Sequence, residues 1–260
     1  PRTRAVVLAV FAIVVLVVFV LPLATVVLAG LAGSWTGPLP SGLGFARFRD
    51  ALSGQDLASL AVSLQTAILA GGAALVVGTW AALAAREAPG WLRRLTDAVF
   101  HLPIAVPSVA IGLGLLIAFN AEPLLLGGTR WIVILAHTVL VLAFAFSAVS
   151  AALDRLDPAF RQAAESLGAR PVRVLFRITL PMLLPSLSAA AGLAVALSMG
   201  ELGATVMVYP ATWKTLPVTI FGLTDRGQVF QAAAGTTLLL TVTLLALILL
   251  GRIRGRAALR

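Results

Sequence analysis

Residues 131–153 read WIVILAHTVLVLAFAFSAVSAAL. No Asp, Glu, Lys or Arg interrupts them, and His137 is the one ionisable side chain. A helix needs about 20 mostly apolar residues to cross a bilayer. No alternation of period two is sustained, so a helix is the spanning element. Five more runs of this kind flank it. Ala98–Ala121 is interrupted only by His101, and Leu57–Ala85 carries no charge. Ala5–Ala46 is also charge-free and is strongly apolar up to about Ala32. Downstream, Ile178–Ala211 carries the single charge Glu201, and Gly227–Gly251 carries none. The predicted spans are 5–32, 57–85, 98–119, 131–153, 182–209 and 229–250.

The composition agrees. Charged residues make up 11% and hydrophobic residues 60% of 260 positions, against roughly 25% charged in soluble domains. The mean hydropathy is +1.04. A soluble globule could not cover its surface with so few charges. The chain has no cysteine, which excludes disulfide frameworks, thiolate metal sites and cysteine nucleophiles. The first span is too long for a signal-peptide core and has no convincing cleavage site, so it is read as retained.

The net charge is +9. Of the 19 basic residues, Lys214 is the only lysine. The basic residues Arg2, Arg4, Arg86, Arg93, Arg94, Arg155, Arg161, Arg170, Arg173, Arg177, Arg252, Arg254, Arg256 and Arg260 fall on one side of the six spans. Only Arg47, Arg49, Arg130, Lys214 and Arg226 fall on the other. Cytoplasmic loops carry the excess of Lys and Arg, so both termini are expected in the cytoplasm. Basic residues placed there would meet anionic lipid headgroups, which accounts for a pI near 11.7 without nucleic acid. On the other side, the stretch from about Gly33 to Asp56 is Gly/Pro-rich and then amphipathic, with Phe45, Phe48, Ala51 and Leu52 at helical spacing. It predicts a short helix on the membrane surface.

The loop 154–181 is long for a bundle connection and has its own helix signals. Asp157-Pro158 supplies an N-cap and a proline at the first helical position. Phe160, Ala163, Ala164 and Leu167 then recur on one face. Gly168 supplies the left-handed residue that ends a helix. Arg170-Pro171 starts a second short helix, which Leu180-Pro181 should close. A helix of about three turns with an apolar, small-residue face suits either a lipid surface or docking to a partner. Arg161 and Glu165 are i,i+4 neighbours, in the less favourable order.

Gln162-Ala163-Ala164, three residues, Gly168, nine residues, then Ile178-Thr179-Leu180-Pro181 resembles the EAA signature E-A-A-x3-G-x9-I-x-L-P at every interval. That signature marks permease subunits of binding-protein-dependent ABC importers. The departure is Gln162 in place of Glu; Glu165 still puts a carboxylate on the helix. The resemblance covers about Leu57–Leu250 and implies an all-α, six-span, type I importer permease as a single domain over 1–260 in a bacterial inner membrane. It further implies that the loop helix is a coupling helix seated in an ATPase subunit. Phe160, Gln162, Ala163, Ala164, Glu165, Leu167, Gly168, Ile178, Leu180 and Pro181 would then serve ATPase coupling. The implied partners are an ATPase dimer holding ATP and Mg, a second permease copy or paralogue, and an extracytoplasmic solute-binding protein. Ser198–Thr205 and Thr215-Leu216-Pro217-Val218 resemble the branch importing sulfate, molybdate, thiamine, ferric ion or phosphonates. Val208-Tyr209-Pro210 and Asp225-Arg226-Gly227-Gln228 are similar to 2-aminoethylphosphonate permeases.

Glu201 is the only carboxylate deep in a span, which makes it a functional candidate by default. Gly200 and Gly203 flank it and Ser198 precedes it, allowing close contact or local unwinding. A structural hydrogen bond to another span is the other reading. Pro103 and Pro107 remove donors from the third span, which places that span beside a cavity. Pro103, Pro107, Ser198, Gly200, Glu201 and Gly203 are therefore the expected path or gate residues. His101 and His137 lack ligand spacing and are read as hydrogen-bonded bundle histidines, with no metal site. No G-x4-G-K-[ST] string occurs, and no nucleophile–base set is found, so the chain is not read as an enzyme. An ion-gradient transporter would require paired intramembrane charges or inverted repeats, which the sequence lacks.

Overall fold

The computed structural model describes residues 2–258. Pro1, Leu259 and Arg260 lie outside it, so one residue of the basic count is beyond the described residues. Among the described residues five helical stretches are long and apolar enough to cross a membrane, or six where the bent helix pair counts as one span. Among the described residues there is no β-strand, only an isolated bridge between Ser34 and Ser41. The chain forms two compact units. One comprises residues 1–61 and 215–242, the other residues 62–214 and 243–260.

The first unit opens with α1 (Arg2–Val15), a π-helical turn at Leu16–Val20, and α2 (Leu21–Leu31). Val6, Phe11, Leu16 and Phe19 are each more than half exposed, as expected of a helix immersed in lipid. The predicted surface helix is α3 (Ala46–Ala51). Phe45 and Leu52 point outward, whereas Ala51 is fully buried. The ring of Phe48 lies against Gly30, where an added Cβ would come within 3.0 Å of it. Arg47 donates to the carbonyls of Ala32 and Gly33, which α2 leaves without helical partners, and its guanidinium stands 5.1 Å from the Phe230 ring centroid. α4 (Gly54–Glu87) begins in this unit. The helix α12 (Leu216–Asp225) had no counterpart in the six-span expectation. At 10 residues it is too short to span, yet Leu216, Val218, Thr219 and Leu223 are buried. Its Thr219 hydroxyl meets Ser59 of α4 at 2.8 Å.

The second unit holds the rest of α4, α5 (Gly90–Ala105), α6 (Ser108–Ala118), α7 (Arg130–Asp154) and α8 (Pro158–Ser166). It continues through α9 (Pro171–Val174), a π turn at Leu175–Thr179, α10 (Leu180–Met199) and α11 (Gly203–Val208). It ends with the second half of α13 (Val229–Ala258). Small residues set the helix spacing. A Cβ on Gly78 would stand 2.9 Å from the Phe146 nitrogen of α7, and one on Gly112 would stand 2.7 Å from the Ala204 oxygen of α11. Side chains cannot intervene at such contacts, so backbones meet directly.

One sequence expectation about the spans is refined and two are corrected. The third span is bent by 106° between α5 and α6. Pro103 stays inside α5, while Pro107 stands at the break as the N-cap residue of α6. A residue before proline is disfavoured in the α region, and Val106 is accordingly extended at ψ 131°. The fifth span does not run through 209. It ends at Met199 and resumes in α11 after a break at Gly200–Leu202. Finally, Leu180-Pro181 does not close a short helix, because α9 continues through the π turn into α10, and the apolar stretch starts at Pro171. Both π turns end two residues before a proline, Pro22 or Pro181. Proline lacks a donor and crowds the carbonyl four residues back. Widening the preceding turn, with the Leu180 N–H donating to the Leu175 carbonyl, lets the helix continue.

Candidate functional site

The first candidate site is the loop between α7 and α10. The Asp157 carboxylate accepts the Ala159 N–H at 2.8 Å, and Pro158 follows at the first helical position. α8 has nine residues, about two and a half turns, slightly shorter than expected. It ends in a Schellman motif: the Gly168 N–H donates to Glu165 O at 2.9 Å, and the Ala169 N–H to Ala164 O at 3.0 Å. Gly168 has φ +78°, a conformation in which a Cβ is strained.

Arg161 joins α8 to the end of α4. Its guanidinium donates to Glu165 and to Glu87, each at 2.8 Å. The Glu165 bond, then the Glu87 bond, raises its pKa. All three groups are exposed, so these pairs orient the helix more than they stabilise the fold. Beneath them lies a groove of about 650 Å³, to which Phe160, Gln162, Glu165 and Ile178 contribute. Ala163 and Leu167 face outward, Leu167 at 88% exposure. Leu180 packs on a core of Phe146, Leu153 and Leu183, while Pro181 is exposed. Of the ten expected coupling residues, four line the groove, Ala163 and Leu167 face outward, and Leu180 packs on the core.

The second candidate site lies where two spans break. A cavity of about 230 Å³ is lined by Pro103, Ile104, Val106 and Ser108 from the α5–α6 bend, by His137, Leu140, Val141 and Phe144 of α7, and by Leu197, Ser198 and Glu201. Pro103, Ser198 and Glu201 of the expected path residues therefore meet here. Gly203 supports the cavity from behind, since a Cβ there would overlap the Ser108 hydroxyl. Gly200 lies in the bend between α10 and α11 and has ordinary right-handed geometry at φ −91°.

Glu201 has a partner that the sequence did not disclose. Its Oε1 accepts the Ala204 N–H at 2.7 Å and caps the first turn of α11. Sequence reasoning also passed over His137 as a site residue. It is 1% exposed. Its Nδ1 lies 2.6 Å from Ser198 Oγ and its Nε2 lies 2.7 Å from Thr205 Oγ1. Both ring nitrogens are engaged, as expected of a bundle histidine, and the ring ties α7 to α10 and α11 at the cavity wall. Ser198 and Thr205 stand seven residues apart around the break, the one sequence signal that could have linked them. His101 is likewise engaged, by Asp97 O at 2.7 Å and Ser147 Oγ at 2.8 Å. Among the described residues no group of three His, Cys, Asp or Glu could hold a metal ion.

Residues 74–257 match the family described as the inner membrane component of binding-protein-dependent transport systems. A Salmonella paratyphi A protein, provisionally named 2-aminoethylphosphonate transport system permease protein PhnV, is 46% identical over 256 residues, covering 98% of this chain and 97% of that protein. The putrescine transport system permease protein PotI of Escherichia coli K12 is 32% identical over 193 residues, covering 71% and 67%. A chain of a bacterial alginate ABC transporter in complex with its alginate-bound periplasmic protein superposes with a TM-score of 0.77. That likeness spans 98% of this chain and 94% of the other at 17% identity, and so concerns the fold.

Proposed function

This chain belongs to the inner membrane components of binding-protein-dependent transport systems, and from that premise we propose that its solute is 2-aminoethylphosphonate. The chain is a permease subunit of an ABC importer and a multi-pass inner-membrane protein. The observation that carries the solute is the 46% identity to PhnV along nearly the whole of both chains. The test is reconstitution with the cognate ATPase and solute-binding protein in proteoliposomes. ATP-dependent uptake of labelled 2-aminoethylphosphonate is expected, with sulfate, molybdate, thiamine and ferric ion failing to compete. Uptake of one of those four instead would replace the solute.

In this reading α8 docks on one ATPase of a dimer that holds ATP and Mg, and a second permease copy or paralogue completes the pathway. An extracytoplasmic binding protein delivers the solute. The same two helices serve the loop and the cavity: α7 carries Leu153 at one level and His137 at another, and α10 carries Leu183 and Ser198. Sixteen residues of helix separate the α7 pair, about 24 Å at 1.5 Å per residue. Movement of α8 would reach the cavity through these packed rods, a route to alternating access.

The basic-residue asymmetry supports a topology with both termini and α8 in the cytoplasm. Alkaline phosphatase fused after residues 45, 125 or 220 is expected to be active, and inactive after 90, 170 or 255. Activity at 170 would put α8 on the wrong side for an ATPase.

A further inference from the structure

We propose that Arg161 and Glu87 form a clamp through which α8 moves α4, with Glu87 as a positioning residue for coupling. Neither is among the expected coupling residues. The clamp rests on the reading of α8 as the docking helix.

The two charges stand at the wrong ends of their own helices. Glu87 is the last residue of α4, and Arg161 is the fourth of α8. A carboxylate at a helix C-terminus and a cation near an N-terminus both oppose the helix dipole. The Arg161–Glu165 order is also the less favourable one along a helix. Each charge therefore works against the helix that carries it and finds its favourable partner across the pair. Arg161 Nε donates to Glu165 Oε1 and Nη1 donates to Glu87 Oε1, each at 2.8 Å. Glu165 thus turns the planar guanidinium so that its other edge meets Glu87.

Little else fixes α8. The helix has no buried residue. A groove of about 650 Å³ is shared by its Phe160 and Gln162 with Trp80, Leu83 and Ala84 of α4. Among the described residues, the Arg161–Glu87 bond is the only side-chain hydrogen bond from α8 to another helix. Beyond Glu87 the connection is stiff. A Cβ on Gly78 would stand 2.9 Å from the Phe146 nitrogen, and Ala74 is buried with Val141, Ala145 and Ala194. Val141 lines the cavity at the broken spans. Thirteen residues of helix separate Glu87 from Ala74, about 20 Å at 1.5 Å per residue. A tilt of α8 is handed through one ion pair to a rod packed on the cavity wall, a route that enters through α4 rather than through α7 or α10.

The chain has no cysteine, so Glu87→Cys offers a single thiol for a test of charge alone. Iodoacetate leaves a carboxylate there, one atom further out than in glutamate, and iodoacetamide leaves a neutral amide of the same size. The permease is alkylated before assembly with its ATPase and binding protein in proteoliposomes. Exposed ion pairs are weak, so uptake of 2-aminoethylphosphonate per ATP hydrolysed is expected to fall about three- to fivefold in Glu87→Gln and in Glu87→Cys. ATPase pull-down is expected to stay within about twofold of wild type, because Glu87 lies off α8. Carboxymethylation is expected to restore coupling to within about twofold of wild type, and carboxamidomethylation is not. Unchanged coupling in Glu87→Gln, or any pattern other than selective recovery with the carboxylate, overturns the clamp and leaves docking intact. Loss of ATPase pull-down assigns Glu87 to docking or folding and also overturns it. A spin label at Ser166→Cys reads the clamp without ATPase or solute: in membranes its mobility is expected to rise when Glu87→Gln is added. If wild type binds no ATPase or imports no 2-aminoethylphosphonate, the docking or the solute reading falls and the label decides. Increased mobility then supports the clamp, and unchanged mobility overturns it.

Discussion

Gly168→Val should uncouple the transporter while leaving the protein in the membrane. Gly168 sits at φ +78°, where a β-branched residue is strained by about 1–2 kcal/mol. Relief of that strain opens the Schellman bonds from Gly168 to Glu165 and from Ala169 to Ala164. The outward face of Ala163 and Leu167 would then be misdirected. Ala164→Glu acts differently. Ala164 is only half-buried on α8, so the helix survives, but a bulky charge enters any dry contact with the ATPase. Both substitutions lie outside the apolar spans, so insertion is expected to be normal. The measurement is ATPase pull-down together with uptake and hydrolysis in proteoliposomes. Uptake is expected to fall more than tenfold, with the ATPase either released or hydrolysing without transport. Normal association and normal coupled uptake in both variants would show that α8 is not the docking element.

His137→Ala should be the most destabilising of these changes. The ring is 1% exposed, and its removal leaves a void together with the Ser198 and Thr205 hydroxyls. Interhelical hydrogen bonds in membranes are worth about 0.6 kcal/mol on average, so two account for little more than 1 kcal/mol. The void left by truncating a large buried side chain adds to this, giving ~3 kcal/mol in total. At roughly 2–4 °C per kcal/mol the melting midpoint in detergent would fall by about 6–12 °C. His137→Gln keeps part of the volume and one bond, and should fall by less. Equal midpoints for wild type and His137→Ala would mean that the ring does not hold α7, α10 and α11 together.

The features legible in the amino-acid chain are those that local chemistry dictates. Charge-free runs must become helices, because a bilayer offers backbone groups no other partner. Asp157-Pro158 and Gly168 bounded α8 because capping depends on residues within one turn of each other. The spacing from Gln162 to Pro181 is a linear pattern that resembles the family's signature, and the family match over residues 74–257 agrees.

Where the spans break, and what meets at the breaks, depends on how the helices pack. Two prolines in the third span were equivalent as text, yet Pro103 lies within α5 and Pro107 ends it. Proline is tolerated in a membrane helix when its surroundings re-satisfy the freed carbonyl, and those surroundings are not local. The π turns that absorb Pro22 and Pro181 likewise kept helices running where a stop was expected at Leu180-Pro181. His137 reaches partners 61 and 68 residues away, and only the turn into α11 brings the Ala204 N–H to Glu201. Those meetings depend on the rotation and depth of each helix. Backbone contacts such as Gly112 against Ala204 fix both, and hydropathy carries no record of them.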